Sequence, residues 1–223
     1  MNRIAHFIYL DFYTINPYKR ALYLLILIGL VMGVIIGSVS GLPAIIMMGI
    51  LVVVSTPFSV GEKNRLDTLY ATLPLTRKSV VIGRYAFTFS MEMVGAIFVL
   101  LLSVALSVIF TIDLNVTEIL SSLCIVLAVF SLVISLQYPL YFKLGYTKAQ
   151  PFTYILFTIG ILAITVWSSG ISENFALLSG LNTLWEGFSA NPYLMYGLSV
   201  GIGFLFLALS CVLSCRLYQK RDI

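Results

Sequence analysis

Glu62–Arg84, EKNRLDTLYATLPLTRKSVVIGR, is the long polar interruption in an otherwise apolar chain, and the rest is read outward from it. Of the 13 Lys and Arg residues it holds five, Lys63, Arg65, Arg77, Lys78 and Arg84, set between two apolar runs. Leu66, Leu69, Tyr70 and Leu73 fall at i, i+3, i+4 and i+7, one stripe of a short amphipathic helix. Glu62 with Arg65, and Lys63 with Asp67, have the spacing of ion pairs on the faces beside that stripe. Pro74 ends the helix, and Thr76 stands where a cap for the next one belongs. Such a stripe at the mouth of two membrane spans is suited to docking on another protein. A helix lying flat on the lipid surface has the same pattern.

Composition sets the class. The chain has 223 residues, 60% hydrophobic and 10% charged, with a mean hydropathy of +1.04, which defines a polytopic, all-α membrane protein. No polar stretch reaches domain size, so residues 1–223 are expected to form a single transmembrane domain. The pI near 9.0 does not point to nucleic acid: the basic residues stand at the ends of apolar runs as topology signals do, not clustered on a folded face. Cys124, Cys211 and Cys215 lie inside apolar runs and behave as small hydrophobes; without His or acidic neighbours they make no metal site. The start of the chain does not read as a cleavable signal, because His6 and Asp11 interrupt it and no small-x-small site precedes the first long run. Ile4, Phe7, Ile8 and Asp11 instead predict a short interfacial helix, with Tyr9, Phe12, Tyr13 and Tyr18 at headgroup depth.

A helix needs about 20 apolar residues to cross the hydrocarbon core. Six runs qualify: Ala21–Ser38, Leu42–Val60, Tyr85–Ile112, Val116–Phe142, Pro151–Ser168 and Tyr193–Cys215. With both termini inside, the inner segments hold Arg3, Lys19, Arg20; Lys63, Arg65, Arg77, Lys78, Arg84; Lys143, Lys148; and Arg216, Lys220, Arg221, which is every Lys and Arg of the chain. The outer segments carry only Asp113, Glu118, Glu173 and Glu186. An odd number of spans would destroy this split. Asn115 with Glu118 resembles a capping box for span four. The third outer loop, Ser169–Pro192, is apolar, with Trp185 as an interface anchor, and is expected to fold back as short extracellular helices between spans five and six.

Within the spans, Gly29, Gly33, Gly37 and Gly41 repeat every four residues, and Gly197 with Gly201 does so once. That spacing lets another backbone approach closely, either at a dimer seam or gate or in packing within the subunit. Glu92 is the acid clearly inside a span. An unpaired carboxylate in hydrocarbon is costly, so it must face the bundle interior, a polar cavity or a partner subunit. It serves either a transport path or a structural hydrogen bond to Ser, Tyr or Gln137 on a neighbouring helix. Pro139 is placed to kink span four near its inner end. There is no G-x-x-x-x-G-K-[ST] phosphate loop, no H-E-x-x-H, and no constellation suited to catalysis around the lone His6.

The chain resembles the six-helix permease subunits of bacterial type-2 ATP-binding-cassette exporters. The resemblance rests on the Glu62–Arg84 segment with its LPLTRKSVVIGRY, on PLYFKLGYTKAQ (Pro139–Gln150) between spans four and five, and on the basic tail RLYQKRDI (Arg216–Ile223). It implies a non-catalytic permease in the bacterial cytoplasmic membrane, paired with a second permease, the same or homologous, and with two separate ATPase subunits. Glu62, Lys63, Arg65, Leu66, Asp67, Leu69 and Tyr70 would then form the coupling helix that seats on the ATPase. No cofactor would bind this chain; ATP and Mg would belong to the ATPase. Relatives of this kind commonly export peptides or other amphipathic compounds. The competing classes are an ATP-independent secondary carrier or channel, for which only Glu92 speaks and no inverted repeat is visible, and a membrane sensor or scaffold.

Overall fold

The computed structural model describes residues 23, 24, 26–28, 30, 31, 41–64, 77–110, 115–155 and 192–219, with the side chains of the last segment from residue 196. Among these residues all regular structure is helical. Four helices are long and apolar enough to cross a membrane: α1 (Leu42–Lys63), α2 (Arg77–Phe110), α3 (Val116–Leu144) and α4 (Pro192–Gln219). Residues 146–155 form a further helix directly after α3, and the described residues between 23 and 31 are helical too. The expected spans two, three, four and six correspond to α1–α4. Spans one and five lie largely outside the described residues, as do the interfacial helix, the third outer loop and the segment 65–76.

α1 begins after Gly41, with Pro43 in its first turn, where a missing N–H costs nothing. Pro57, deeper in, leaves the Val53 carbonyl without its usual donor; the Thr56 hydroxyl fills that place at 2.7 Å. α2 has 34 residues, about 51 Å at helical rise, and so exceeds a hydrocarbon core of about 30 Å. α3 starts where Asn115 and Glu118 predict, but Asn115 makes no side-chain capping hydrogen bond, so the capping box itself is not formed. α3 also runs on through Pro139. The carbonyl that Pro139 strips of its donor is that of Ser135, and Ser210 of α4 donates to it at 2.7 Å.

α3 is the centre of the bundle, touching the other three helices, most extensively α4. Tyr196, near the start of α4, donates to the Thr117 carbonyl near the start of α3, while Phe142 and Tyr218 meet near their ends. Leu42, Leu106 and Ile119 cluster at the start of α1, the end of α2 and the start of α3. Hence α1, α3 and α4 run in one direction and α2 in the other. The core is aromatic toward one end, where Phe58 lies 4.8 to 5.1 Å from Tyr138, Tyr141 and Phe142. The opposite faces of α2 and α4 expose Leu101, Val104, Val108, Leu205 and Leu209, the surface a bilayer would cover.

Candidate functional site at the basic end

Lys63, Arg77, Lys78, Lys143, Lys148 and Arg216 lie at the end of α1, the start of α2, the end of α3, the start of the 146–155 helix and the end of α4. The helix directions bring these five termini to one end of the bundle. Glu118 lies at the other end.

Two main-chain contacts join this end. The Thr147 N–H donates to Glu62 Oε2 at 3.0 Å. Thr147 is in the first turn of the 146–155 helix, whose N–H groups lack intrahelical partners and favour a negative charge. Gly145, at φ 85°, takes the positive-φ conformation that glycine adopts readily and separates α3 from that helix. On the other side, Arg77 Nη1 donates to the carbonyls of Tyr218 and Gln219 at 3.3 and 3.1 Å, a cation on the last turn of α4.

Between these contacts lies a cavity of about 40 Å³, walled by all four helices through Gly61, Val80, Arg84, Tyr141 and Tyr218 among others. Arg84 is buried, 6% exposed, with its guanidinium 4.3 Å over the Phe58 ring and Nη1 without a hydrogen-bond partner. A Cβ on Gly61 would sit 3.3 Å from Arg84 Nη2, so the absence of a side chain there makes room for the guanidinium. The sequence reading placed Arg84 with the topology signals at the mouth of the bundle; the structure buries it.

Deeper in, Thr88 and Tyr138 share a hydrogen bond, and Ser131 donates to Glu92 Oε1 at 2.8 Å. Glu92 is 1% exposed, and Oε2 has no hydrogen-bond partner. It therefore faces the interior, held by a serine of α3; Gln137 is equally buried, but its Nε2 has no partner. Of the residues singled out for docking, Glu62 and Lys63 end α1, whereas Arg65, Leu66, Asp67, Leu69 and Tyr70 lie outside the described residues. Of the glycine row, Gly41 precedes α1 with nothing within 4 Å of a Cβ placed on it; Gly29, Gly33 and Gly37 lie outside. Gly197 and Gly201 likewise meet nothing within 4 Å among the described residues. The close helix approaches are instead at Gly95, against Ile50 and Met47, and at Gly203, against Ser131 and the Ala128 backbone. Sequence reading missed Arg77 as a clamp and Tyr85, Ser210 and Ser214 as a buried hydroxyl cluster. The i, i+4 pair Ser210 and Ser214 on an apolar helix was the available signal.

Several long apolar helices, buried polar groups between them and basic residues gathered at one end fit a multi-pass membrane protein. The chain belongs to the ABC-2 transporter family: the model described as ABC-2 family transporter protein matches residues 6–219. No curated protein and no solved structure matches the chain. Membership makes it the membrane subunit of an ABC transporter, a partner of ABC ATPase subunits.

Proposed function

We propose that residues 1–223 form a single permease domain of a bacterial exporter, driven by two separate ABC ATPase subunits and paired with a second permease, the same or homologous. The basic end faces the cytoplasm, in keeping with the placement of every Lys and Arg at the ends of apolar runs. Leu66, Leu69 and Tyr70 seat on the ATPase, flanked by Lys63, Arg65 and Asp67. Glu62 forms the root of this coupling helix, and its carboxylate is turned to Thr147. ATP and Mg bind the ATPase, and this chain carries no cofactor. Peptides or other amphipathic compounds are the cargo. The observation that carries the reading is that the segment between Glu62 and Arg77 is fastened at both ends to other helices of the same bundle, as a segment that receives force must be.

Leu69→Asp tests the docking. A charge placed on an apolar contact weakens it by about 3 kcal/mol, roughly a hundredfold in affinity. The variant is expected to insert normally and to lose the ATPase subunits on affinity purification. Unchanged co-purification and turnover refute the docking assignment. A wild-type chain that purifies with no ATPase refutes the exporter reading in favour of a carrier, channel or scaffold.

A further inference from the structure

The chain itself attaches the segment between Glu62 and Arg77 to only two helices, α1 and α2. The hydrogen bonds of Glu62 and Arg77 reach two others, the 146–155 helix and α4, from which the segment is separated by 85 and about 141 residues of sequence. We infer that Glu62 and Arg77 are the positioning residues through which displacement of the docking segment is passed to the 146–155 helix and to α4. This rests on the ATPase docking proposed above and adds which helices move and through which atoms.

Three features support it. Both contacts grip main chain: Glu62 takes the Thr147 N–H, and Arg77 gives to the Tyr218 and Gln219 carbonyls. A pull on a backbone group moves the helix, whereas a pull between two long side chains is absorbed by rotation about their χ angles. Both contacts also sit at helix termini, where the groups held have no intrahelical partner. They can be loaded or remade without opening a helical hydrogen bond. Finally, the two contacts flank the cavity of about 40 Å³ in which Arg84 keeps one donor unpartnered. Close-packed helix ends resist small shifts, and free space between them lets the ends reseat. The contacts differ in kind. The 146–155 helix is held at its start by a carboxylate and α4 at its end by a cation, so each charge matches the dipole of the helix it holds.

The test uses the whole chain in complex with its co-purified ATPase, in lipid nanodiscs. Cys124, Cys211 and Cys215 are replaced by alanine, and spin labels are placed at Val108 and Leu198, exposed positions on α2 and α4 toward the far end. Trapping with ATP and vanadate is expected to shift the distance between the labels. Arg77→Ala is expected to retain the ATPase and its hydrolysis while losing that shift; Glu62→Ala, at the root of the dock, is compared in complexes that keep the ATPase and is expected to lose the shift there. Glu62→Gln, which keeps an acceptor for the Thr147 N–H, is expected to retain it. A shift that survives both alanine variants, or is lost equally in Glu62→Gln, overturns the inference. So does loss of the ATPase from Arg77→Ala, which makes that residue part of the dock, and so does an unaltered complex that hydrolyses ATP without any shift. Failure of the exporter reading is seen separately, as a wild-type chain with no ATPase bound.

Discussion

Ser210 shows what a single hydroxyl does in this bundle. Its proton goes to the Ser135 carbonyl, so its 2.6 Å bond to Tyr85 is donated by the phenol. Tyr85 then has no proton left for Ser214, which must donate to it at 2.8 Å. The order Ser214, Tyr85, Ser210, Ser135 carbonyl is thereby fixed, and it joins α2, α3 and α4. Removing the middle hydroxyl leaves both an acceptor and a donor unmatched among buried groups. Ser210→Ala is expected to destabilise the protein by about 1–2 kcal/mol, and Ser214→Ala by less, because Tyr85 keeps its acceptor. Unfolding in mixed detergent measures both; equal losses would refute the assigned direction. The sequence disclosed half of this. Pro139 announces a carbonyl without a donor, but the serine that answers it lies 75 residues away, and no local pattern reports a partner at that distance. Glu92 was legible for the opposite reason: a carboxylate in an apolar run must find a donor, whichever helix supplies it.

Among helices in lipid, association depends on close packing and hydrogen bonds, since lipid tails are as apolar as leucine. Glycines show where that packing is tight. Gly203 of α4 lies so near α3 that a Cβ would stand 3.2 Å from the Ser131 Cβ and 3.3 Å from the Ala128 Cα. Backbone cannot step aside as a side-chain tip can, and Ser131 also holds Glu92. Gly201, two residues earlier, meets nothing within 4 Å among the described residues. Gly203→Leu should therefore cost about 1–3 kcal/mol by overpacking, while Gly201→Leu leaves the unfolding midpoint of the isolated subunit unchanged. A comparable loss from both would contradict the seam described here. Among the described residues, the four-residue repeat of Gly197 and Gly201 meets no neighbour within 4 Å, whereas Gly203 and Gly95, outside any such glycine repeat, take close contacts. Repetition records which face of a helix is small; it does not record whether a neighbour is present. Helix existence was far more legible, because a run of about 20 apolar residues has few alternatives.

For the molecule as a whole, direction is the deciding quantity. α1, α3 and α4 run one way and α2 the other, and the chain leaves α3 at the basic end but enters α4 at the far end. An even alternation of crossings from α1 onward would be kept by one more between α3 and α4, the fifth span expected from Pro151–Ser168. The charge pattern and the helix directions are independent, one being electrostatic and the other a matter of contacts, and both set the basic residues together at one end. The orientation proposed above, which follows the positive-inside rule, puts that end in the cytoplasm. Single cysteines placed at Lys78 and Lys148, at the basic end, and at Glu118, at the other, test this in whole cells with a thiol reagent that cannot cross the membrane. The three native cysteines are first replaced by alanine so that each reporter is read alone. Glu118→Cys should be labelled from outside, and Lys78→Cys and Lys148→Cys only after the membrane is opened. Labelling of Lys78→Cys in intact cells would invert the bundle and put the Glu62–Arg77 segment out of reach of any cytoplasmic ATPase. Labelling of Lys148→Cys together with Glu118→Cys would put both ends of α3 outside and deny α3 as a crossing.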